Sequence, residues 1–152
     1  MKTRMLAAAL GIAALSGLLV PSPAQAADEV AYAYIPPIRE DIGGGSVRAT
    51  IGFASQKKIV VRNFTVRDIC PGDNAPVKAQ VVWVHRDGTR GRSHWRTDSN
   101  GCGTHGTNFG TITRTSHKRI KYAYLSLRVY DREGRIAGAQ ISYKVDNGWD
   151  GR

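Results

Sequence analysis

Hydrophobic and polar residues alternate with a period of two along most of the chain after residue 45. This alternation is typical of β-strands that bury one face. The clearest case runs from Ile120 to Tyr130, where Ala123, Leu125, Leu127 and Val129 share one phase. After residue 26, no segment repeats apolar residues at helical spacing over ten residues. Further strands are predicted at Ser46 to Phe53, Ile59 to Cys70, Val77 to His85, Arg92 to Thr97 and Ile136 to Val145.

The phase of each predicted strand assigns its side chains to a face. Val60, Phe64 and Val66 share one phase of the second strand, and the adjacent pair Val60 and Val61 indicates a bulge or a strand covered on both faces. Trp83 and Trp95 are expected to be core rings. In two further strands every second residue is apolar, so these residues are expected to share one face. They are Val77, Ala79, Val81 and Trp83 in the first and Ala137, Ala139, Ile141, Tyr143 and Val145 in the second.

Turn residues separate these strands at short intervals. Asp87-Gly88 is typical of a tight β-hairpin. Residues 27–45 contain Pro36-Pro37 and no clean period, which predicts an extended N-terminal arm. Gly43-Gly44-Gly45 predicts a flexible linker or turn, since no Gly-Lys-Ser/Thr and no helix follow to make a phosphate-binding loop. Short antiparallel strands with frequent turns predict an all-β fold, an antiparallel β-sandwich of about six to eight strands over residues 46–152.

The first 26 residues have the three parts of a secretory signal peptide. Lys2 and Arg4 precede an uncharged stretch from Met5 to Val20, and Ala24-Gln25-Ala26 forms an A-x-A cleavage site. That stretch is shorter than the roughly 20 apolar residues that span a bilayer. We therefore expect a secreted protein that begins at Ala27 and has no transmembrane segment in its mature part.

Cleavage changes the charge balance only slightly. The mature part has 126 of the 152 residues, a length typical of one domain. It keeps 20 Lys and Arg against 12 Asp and Glu, a net charge of +8. Such a charge attracts anionic polymers, so an anionic polymer or polysaccharide is the predicted partner.

Cys70 and Cys102 are the two cysteines of the chain. In an oxidising compartment two cysteines most simply pair with each other, and a redox C-x-x-C motif is absent. A loop of about 32 residues between them would give roughly 3 to 4 kcal/mol of stabilisation in the chain-entropy model. We therefore predict one structural disulfide, Cys70–Cys102.

Four short segments resemble small secreted β-rich proteins of actinomycete bacteria, over residues 58–145. Those proteins combine a strand ending in Asp-x-Cys, a Trp-bearing hairpin and a Gly-Cys-Gly turn. The resemblance implies an extracellular β fold and no catalytic residue, since that group is uncharacterised. The segments are Arg67-Asp68-Ile69-Cys70, Trp95-Arg96-Thr97-Asp98, Asn100-Gly101-Cys102-Gly103-Thr104 and Lys118-Arg119-Ile120-Lys121.

The basic hairpin around Asp87-Gly88 is the main candidate for binding. Arginine forks match anionic groups with two parallel hydrogen bonds, and Trp83 and Trp95 are interleaved with them. Exposed hairpin tips are also commonly charged without binding anything. The predicted anion-binding residues are Arg86, Arg90, Arg92 and Arg96.

Three other patterns are weighed as alternative functional sites. His94, Arg96 and Asp98 alternate along one strand and would suit a secreted nuclease, with a base, a phosphate-stabilising cation and a carboxylate. Tyr122 and Tyr124 share the outward phase of their strand with Tyr130 and Arg128, as in a carbohydrate-binding face, unless a second sheet covers them. The four histidines lack the spacing of a zinc site, and Asp68, Asp73 and Asp98 match routine turn caps.

These observations predict a secreted, non-catalytic β-sandwich protein that binds an anionic or carbohydrate polymer at or outside the cell surface. The alternative is a small secreted hydrolase of the phosphodiesterase or nuclease kind. No motif in the sequence implies a cofactor or a bound metal.

Overall fold

The computed structural model describes residues 27–69, 75–103 and 105–150. These residues form an all-β structure with eleven strands and one short 3-10 helix, Gly148–Asp150. Six strands have six or more residues; the other five, of two to four residues, raise the number above the predicted six to eight. The strands are β1 Glu29–Ile35, β2 Gly44–Ser55, β3 Lys58–Ile69, β4 Val77–His85, β5 Arg90–Arg92, β6 Arg96–Thr97, β7 Thr107–Asn108, β8 Ile112–Thr115, β9 Ile120–Tyr130, β10 Ile136–Ile141 and β11 Val145–Asp146.

Two antiparallel sheets contain all eleven strands. The first sheet has the order β1-β2-β3-β7, and β8 also pairs with β3. The second sheet has the order β10-β9-β4-β5, with β11 beside β9 and β6 beside β4. Hairpin connections join β2 to β3, β4 to β5 and β9 to β10, as the turn residues predict.

One hydrophobic core lies between the two sheets. Ile51 and Val61 of the first sheet and Val81 and Leu125 of the second are among its fully buried side chains. The alternate apolar side chains of β9 point into the core as predicted, and so do those of β4. Face-to-face packing of two antiparallel sheets is the arrangement of a β-sandwich.

The prediction that Val60 lies on the buried face of β3 is wrong. Ile59 and Val61 are buried and Val60 is only partly so, whereas Phe64 and Val66 are buried as predicted. The strand does contain a bulge, one of the two predicted alternatives, and it lies between the partners of Arg48 and Thr50. It causes this change of phase, because one extra residue moves the following side chains to the other face. Asn63 lies at the bulge with φ 53°, a left-handed conformation that Asn tolerates better than most residues.

The triple glycine is not a flexible linker or turn. Gly44 and Gly45 are the first two residues of β2, and both are buried. A Cβ on Gly44 would lie 2.3 Å from the carbonyl oxygen of Ile35, so this position has no room for a side chain. Strand glycines of this kind mark a close approach of another segment. The preceding residues of the predicted arm contribute β1, which pairs with β2 and adds Ala31, Ala33 and Ile35 to the core.

The predicted strand at 136–145 is divided, and its single buried phase is wrong. A register irregularity after Ile136 disturbs the pairing of β10 with β9, and irregular backbone separates β10 from β11. Ile141 and Tyr143 are consequently about half exposed, whereas Val145 is buried.

Several predicted features lie outside the described residues. The signal peptide at 1–26 is one, and Cys70 with the turn at 71–74 is another. The described part of the chain contains no free cysteine, and the Cys70–Cys102 pairing stays a prediction. Within the same part, no helix is long and apolar enough to cross a membrane.

Candidate ligand cleft on the outer face of the second sheet

Strand order brings the basic hairpin and the outward phase of β9 onto one surface. Paired residues of neighbouring strands point to the same face of a sheet. Arg92 pairs with Val82, which pairs in turn with Tyr124. Two residues farther along β4, Val84 pairs with Arg90. Arg90 and Arg92 therefore lie together with the β9 tyrosines on the outer face, the face of the second sheet that points away from the core.

A cleft of about 420 Å³ lies on this face, and we call it the outer cleft. Its base is the middle of β4, where Gln80 and Val82 are only 6% and 3% exposed. Trp95, from the irregular segment between β5 and β6, forms part of its wall, and so does Ile141 at the end of β10. The prediction that Trp95 is a core ring is therefore wrong, whereas Trp83 lies in the core as predicted. The cleft is lined by Gln80, Val82, Arg90, Arg92, Trp95, Tyr124, Ser126, Arg128 and Ile141.

The outer cleft is strongly cationic. Arg90 and Arg92 are exposed and Arg128 is half-buried, and no carboxylate is among the described residues that line the cleft. Within the described part of the chain, neither Arg90 nor Arg92 forms an ion pair. Their charge therefore remains available to an anionic ligand.

Aromatic rings alternate with cations along the same face. The Arg128 guanidinium carbon lies 4.7 Å from the centre of the Trp95 ring. Lys78 Nζ lies 5.2 Å from the centre of the Tyr130 ring, farther along the sheet. These cation–π contacts hold long side chains against the sheet and pre-position both charge and flat apolar surface.

Backbone and side-chain bonds fix the segment that places Trp95. The amide of Val81 donates to Ser93 Oγ at 2.9 Å, and the amide of Ser93 donates to the Val81 carbonyl at 2.9 Å. Ser93 is 7% exposed, so these bonds are shielded from water. Gly91 packs directly on the Trp83 ring, where an added Cβ would lie 2.1 Å from the indole.

The four arginines predicted to bind anions do not share one site. Arg90 and Arg92 line the outer cleft, but Arg86 lies at the hairpin turn beside a second cleft. Arg96 pairs with Ala79, whose side chain is in the core, so Arg96 is on the opposite face. Its guanidinium carbon lies 5.5 Å from the centre of the Phe109 ring.

The sequence did not assign Gln80 or Ser126 to a binding site, and it placed Arg128 only with the tyrosine face of β9. Their signal is present, because Ser126 and Arg128 have the outward phase of β9 and Gln80 has the outward phase of β4. What the pattern lacks is the strand order that places β9 beside β4. The predicted tyrosine face and the predicted basic hairpin are therefore parts of one surface, with the tyrosines of β9 half-buried.

The structure gives each residue of the predicted nuclease group a different environment. Asp98 accepts hydrogen bonds from the Asp68 amide at 2.8 Å and the Asn100 amide at 3.1 Å, as well as from the Thr107 hydroxyl. These bonds make Asp98 a cap for the loop after β6. Arg96 covers Phe109, and His94 is exposed.

Two other observations concern ligand chemistry. A cleft of about 510 Å³ near the N-terminal edge is lined by Asp28 and Arg62, which pair with each other and so cancel their charges. In the described ranges, no group of three or more His, Cys, Asp or Glu side chains is placed to hold a metal ion.

Comparisons with protein-family models, curated proteins and solved structures give no match for this chain. The resemblance to secreted actinomycete proteins thus stays a prediction.

Proposed function

We propose that this protein is a secreted β-sandwich protein that binds, and does not cleave, an anionic polysaccharide in the outer cleft. The observation that carries the proposal is the convergence of Arg90, Arg92 and Arg128 with Trp95 and Tyr124 in one cleft whose described lining residues include no carboxylate. Neither the charges nor the rings alone would favour a charged sugar polymer over other ligands.

Each class of lining group matches one part of an acidic sugar. Arginine forks bind carboxylate or sulfate oxygens with paired hydrogen bonds. Aromatic rings pack against the apolar faces of sugar rings, which makes Trp95 and Tyr124 suitable walls. The amide of Gln80 and the hydroxyl of Ser126 can exchange hydrogen bonds with sugar hydroxyls. This polar pair favours a hydroxyl-rich ligand over a nucleic acid.

Export is the second part of the proposal. The signal peptide at 1–26 would send the chain out of the cytoplasm, where acidic polysaccharides are available as ligands. Mass spectrometry of the culture medium should find a chain that begins at Ala27. A full-length chain retained in cells would contradict export without testing the cleft.

Binding is tested with two triple variants that remove the same charge. The cleft variant is Arg90→Gln, Arg92→Gln and Arg128→Gln. The control variant is Arg48→Gln, Lys58→Gln and Arg114→Gln, three exposed residues of the first sheet. Titration calorimetry with a uronic-acid polymer at several salt concentrations measures affinity, and the slope against log salt reports the number of ionic contacts.

We expect the cleft variant to bind at least about tenfold more weakly with a flatter salt slope, since each charge-assisted bond contributes about 1.5–3 kcal/mol. The control variant should lose much less, because only long-range attraction changes. Trp95→Ala should weaken polysaccharide binding at every salt concentration without changing the slope. Equal losses in both triple variants, or tighter binding of single-stranded DNA than of the polysaccharide, would contradict the proposal.

A further inference from the structure

A chain of hydrogen bonds ends at a serine hydroxyl beside the β4–β5 turn. Ser116 Oγ lies 2.8 Å from Nε2 of His85, and Nδ1 of the same ring lies 2.9 Å from Thr89 Oγ1. Thr89 Oγ1 lies 2.6 Å from Oδ1 of Asp87, and Lys118 Nζ donates to Oδ2 of Asp87 at 2.7 Å. His85 is 9% exposed, and Ser116 is half-buried.

The carboxylate fixes the direction of the protons from Lys118 and Thr89 and, through Thr89, that at Nδ1 of His85. The hydrogen bonds from Lys118 and Thr89 hold the pKa of Asp87 below its ordinary value, so its oxygens only accept. The one hydroxyl proton of Thr89 therefore points to Asp87, and Thr89 Oγ1 must accept from Nδ1–H of His85. In the neutral form of the ring the lone pair is then at Nε2, where it accepts from the Ser116 hydroxyl. Consistently, Ser116 Oγ accepts from the Lys118 amide at 3.1 Å.

This is the protonation pattern of an activated serine nucleophile. A base must hold its lone pair toward the hydroxyl and have its other nitrogen oriented by a third group. Here Thr89 and Asp87 together take the orienting position that a single carboxylate has in a Ser-His-Asp triad. We propose that Ser116 and His85 form a catalytic pair that hydrolyses esters, with Thr89 and Asp87 as positioning residues.

The surrounding cleft indicates which esters would fit. His85 and Asp87 line a cleft of about 400 Å³ with His117 and four cationic side chains, and we call it the turn cleft. Ser116 is not among its lining residues, but it precedes His117 and is hydrogen-bonded to His85. Its positive field would attract an ester that carries a carboxylate and would stabilise the negative oxygen that develops during attack. The lining residues are Lys57, His85, Arg86, Asp87, His117, Lys118 and Arg119.

The reaction balances with water as the second substrate. Ser116 Oγ forms a bond to the ester carbonyl carbon while its proton moves to His85 Nε2. The bond from that carbon to the alcohol oxygen then breaks, and the alcohol leaves with the proton from Nε2. Water attacks the acyl-serine in the same way, which releases the acid and restores Ser116. This proposal is independent of ligand binding in the outer cleft.

The first experiment compares Ser116→Ala with Ser55→Ala on two chromogenic esters. Ser55 is a matched control, because it is also half-buried and its Oγ accepts from the Lys57 amide at 3.2 Å, but the structure places no histidine on it. The substrates are 4-nitrophenyl acetate and 4-nitrophenyl hemisuccinate, which carries a free carboxylate. We expect Ser116→Ala to lower kcat/KM by on the order of 10²-fold or more, Ser55→Ala to change it less than about twofold, and the hemisuccinate to be preferred.

The second experiment separates catalysis from structural support. A fluorophosphonate should add once to the wild-type chain, at Ser116 by peptide mass spectrometry, and not to Ser116→Ala. Thr89→Val should lower kcat at least about tenfold with KM unchanged, whereas Thr89→Ser should restore kcat because the hydroxyl is present. If the wild-type chain takes no label at Ser116, or hydrolyses neither ester faster than Ser116→Ala, the hydrogen-bond chain only holds the turn and the proposal is wrong.

Discussion

Replacing Gly45 with Ala tests whether the triple glycine is a packed strand or a flexible linker. An ideal Cβ at Gly45 would lie 2.6 Å from Val77 Cγ1 and 3.2 Å from Val129 Cγ2, both of them buried core residues. Overpacking of this kind costs about 1–3 kcal/mol. In a flexible linker the same change would alter stability little, because Ala restricts the folded and the unfolded linker alike. The two interpretations therefore predict different outcomes.

A double-mutant cycle with Val77→Ala assigns the cost to one contact. Val77→Ala alone removes two buried methyl groups, at about 0.8 kcal/mol each plus a cavity term, or about 2 kcal/mol in total. In the double variant the new methyl group of residue 45 enters the space that Val77 vacates. We expect the double variant to be about 1–2 kcal/mol more stable than the sum of the single changes predicts.

Urea denaturation followed by tryptophan fluorescence measures these differences. With a slope of about 1–3 kcal/mol per molar urea, a loss of 2 kcal/mol moves the midpoint by about 1 M. Gly138→Ala is a milder comparison, because its Cβ would lie 3.0 Å from the flexible end of Ile38 and 3.2 Å from Cγ2 of Ile35. A Gly45→Ala protein as stable as the wild type, or a cycle without coupling to Val77, would refute the packing described for the start of β2.

Three further predictions concern other parts of the molecule. Asn147→Ala should lower the free energy of unfolding by about 2–4 kcal/mol in chemical denaturation, because it leaves the Ile120 carbonyl and the Trp149 amide without the partners they have at 3.0 and 3.1 Å. Hydrogen bonds from Lys118 and Thr89 lower the pKa of Asp87 in the folded protein. The ionised carboxylate therefore contributes its full stabilisation above the unfolded pKa of about 3.9, and this stabilisation is lost as the pH falls from there through the lower folded pKa. Asp87→Asn should therefore lower stability at neutral pH and flatten the acid side of the plot of stability against pH. A plot unchanged by the substitution would show that solvent screens the ion pair between Asp87 and Lys118. Thiol titration of the unfolded, unreduced protein should find no reactive cysteine if the predicted Cys70–Cys102 bond forms, and two if it does not.

Local alternation was sufficient to predict strands wherever the pairing is regular. β9 follows its predicted phase over its whole length, since it lies between β4 and β10 and buries one face on the core. Alternation failed where the chain inserts one extra residue. In β3 the bulge at Asn63 exchanges the two faces, so the residues before it have the opposite phase from those after it. The adjacent Val60 and Val61 indicated a bulge or a strand covered on both faces, but the pattern alone did not place the extra residue at Asn63.

The triple glycine shows a different limit. Glycine is common in linkers because it is flexible, and equally necessary where another segment comes too close for a side chain. The two cases have the same local sequence. Only the position of Ile35 and Val77 against Gly44 and Gly45 distinguishes them, and that position depends on how β1 and β4 pack against β2.

The same limit explains why the outer cleft was predicted only in parts. The hairpin arginines and the outward side chains of β9 are about 30 residues apart, and nothing local to either segment indicates that they meet. Antiparallel pairing of β4 with both β5 and β9 brings Arg92, Val82 and Tyr124 into one row across the sheet. It also separates Arg96 from Arg92, because the irregular segment at Ser93–Trp95 shifts the phase of β6 relative to β5. A cluster of like residues in the sequence is therefore weaker evidence for a site than residues of different chemistry that the strand order places in one row.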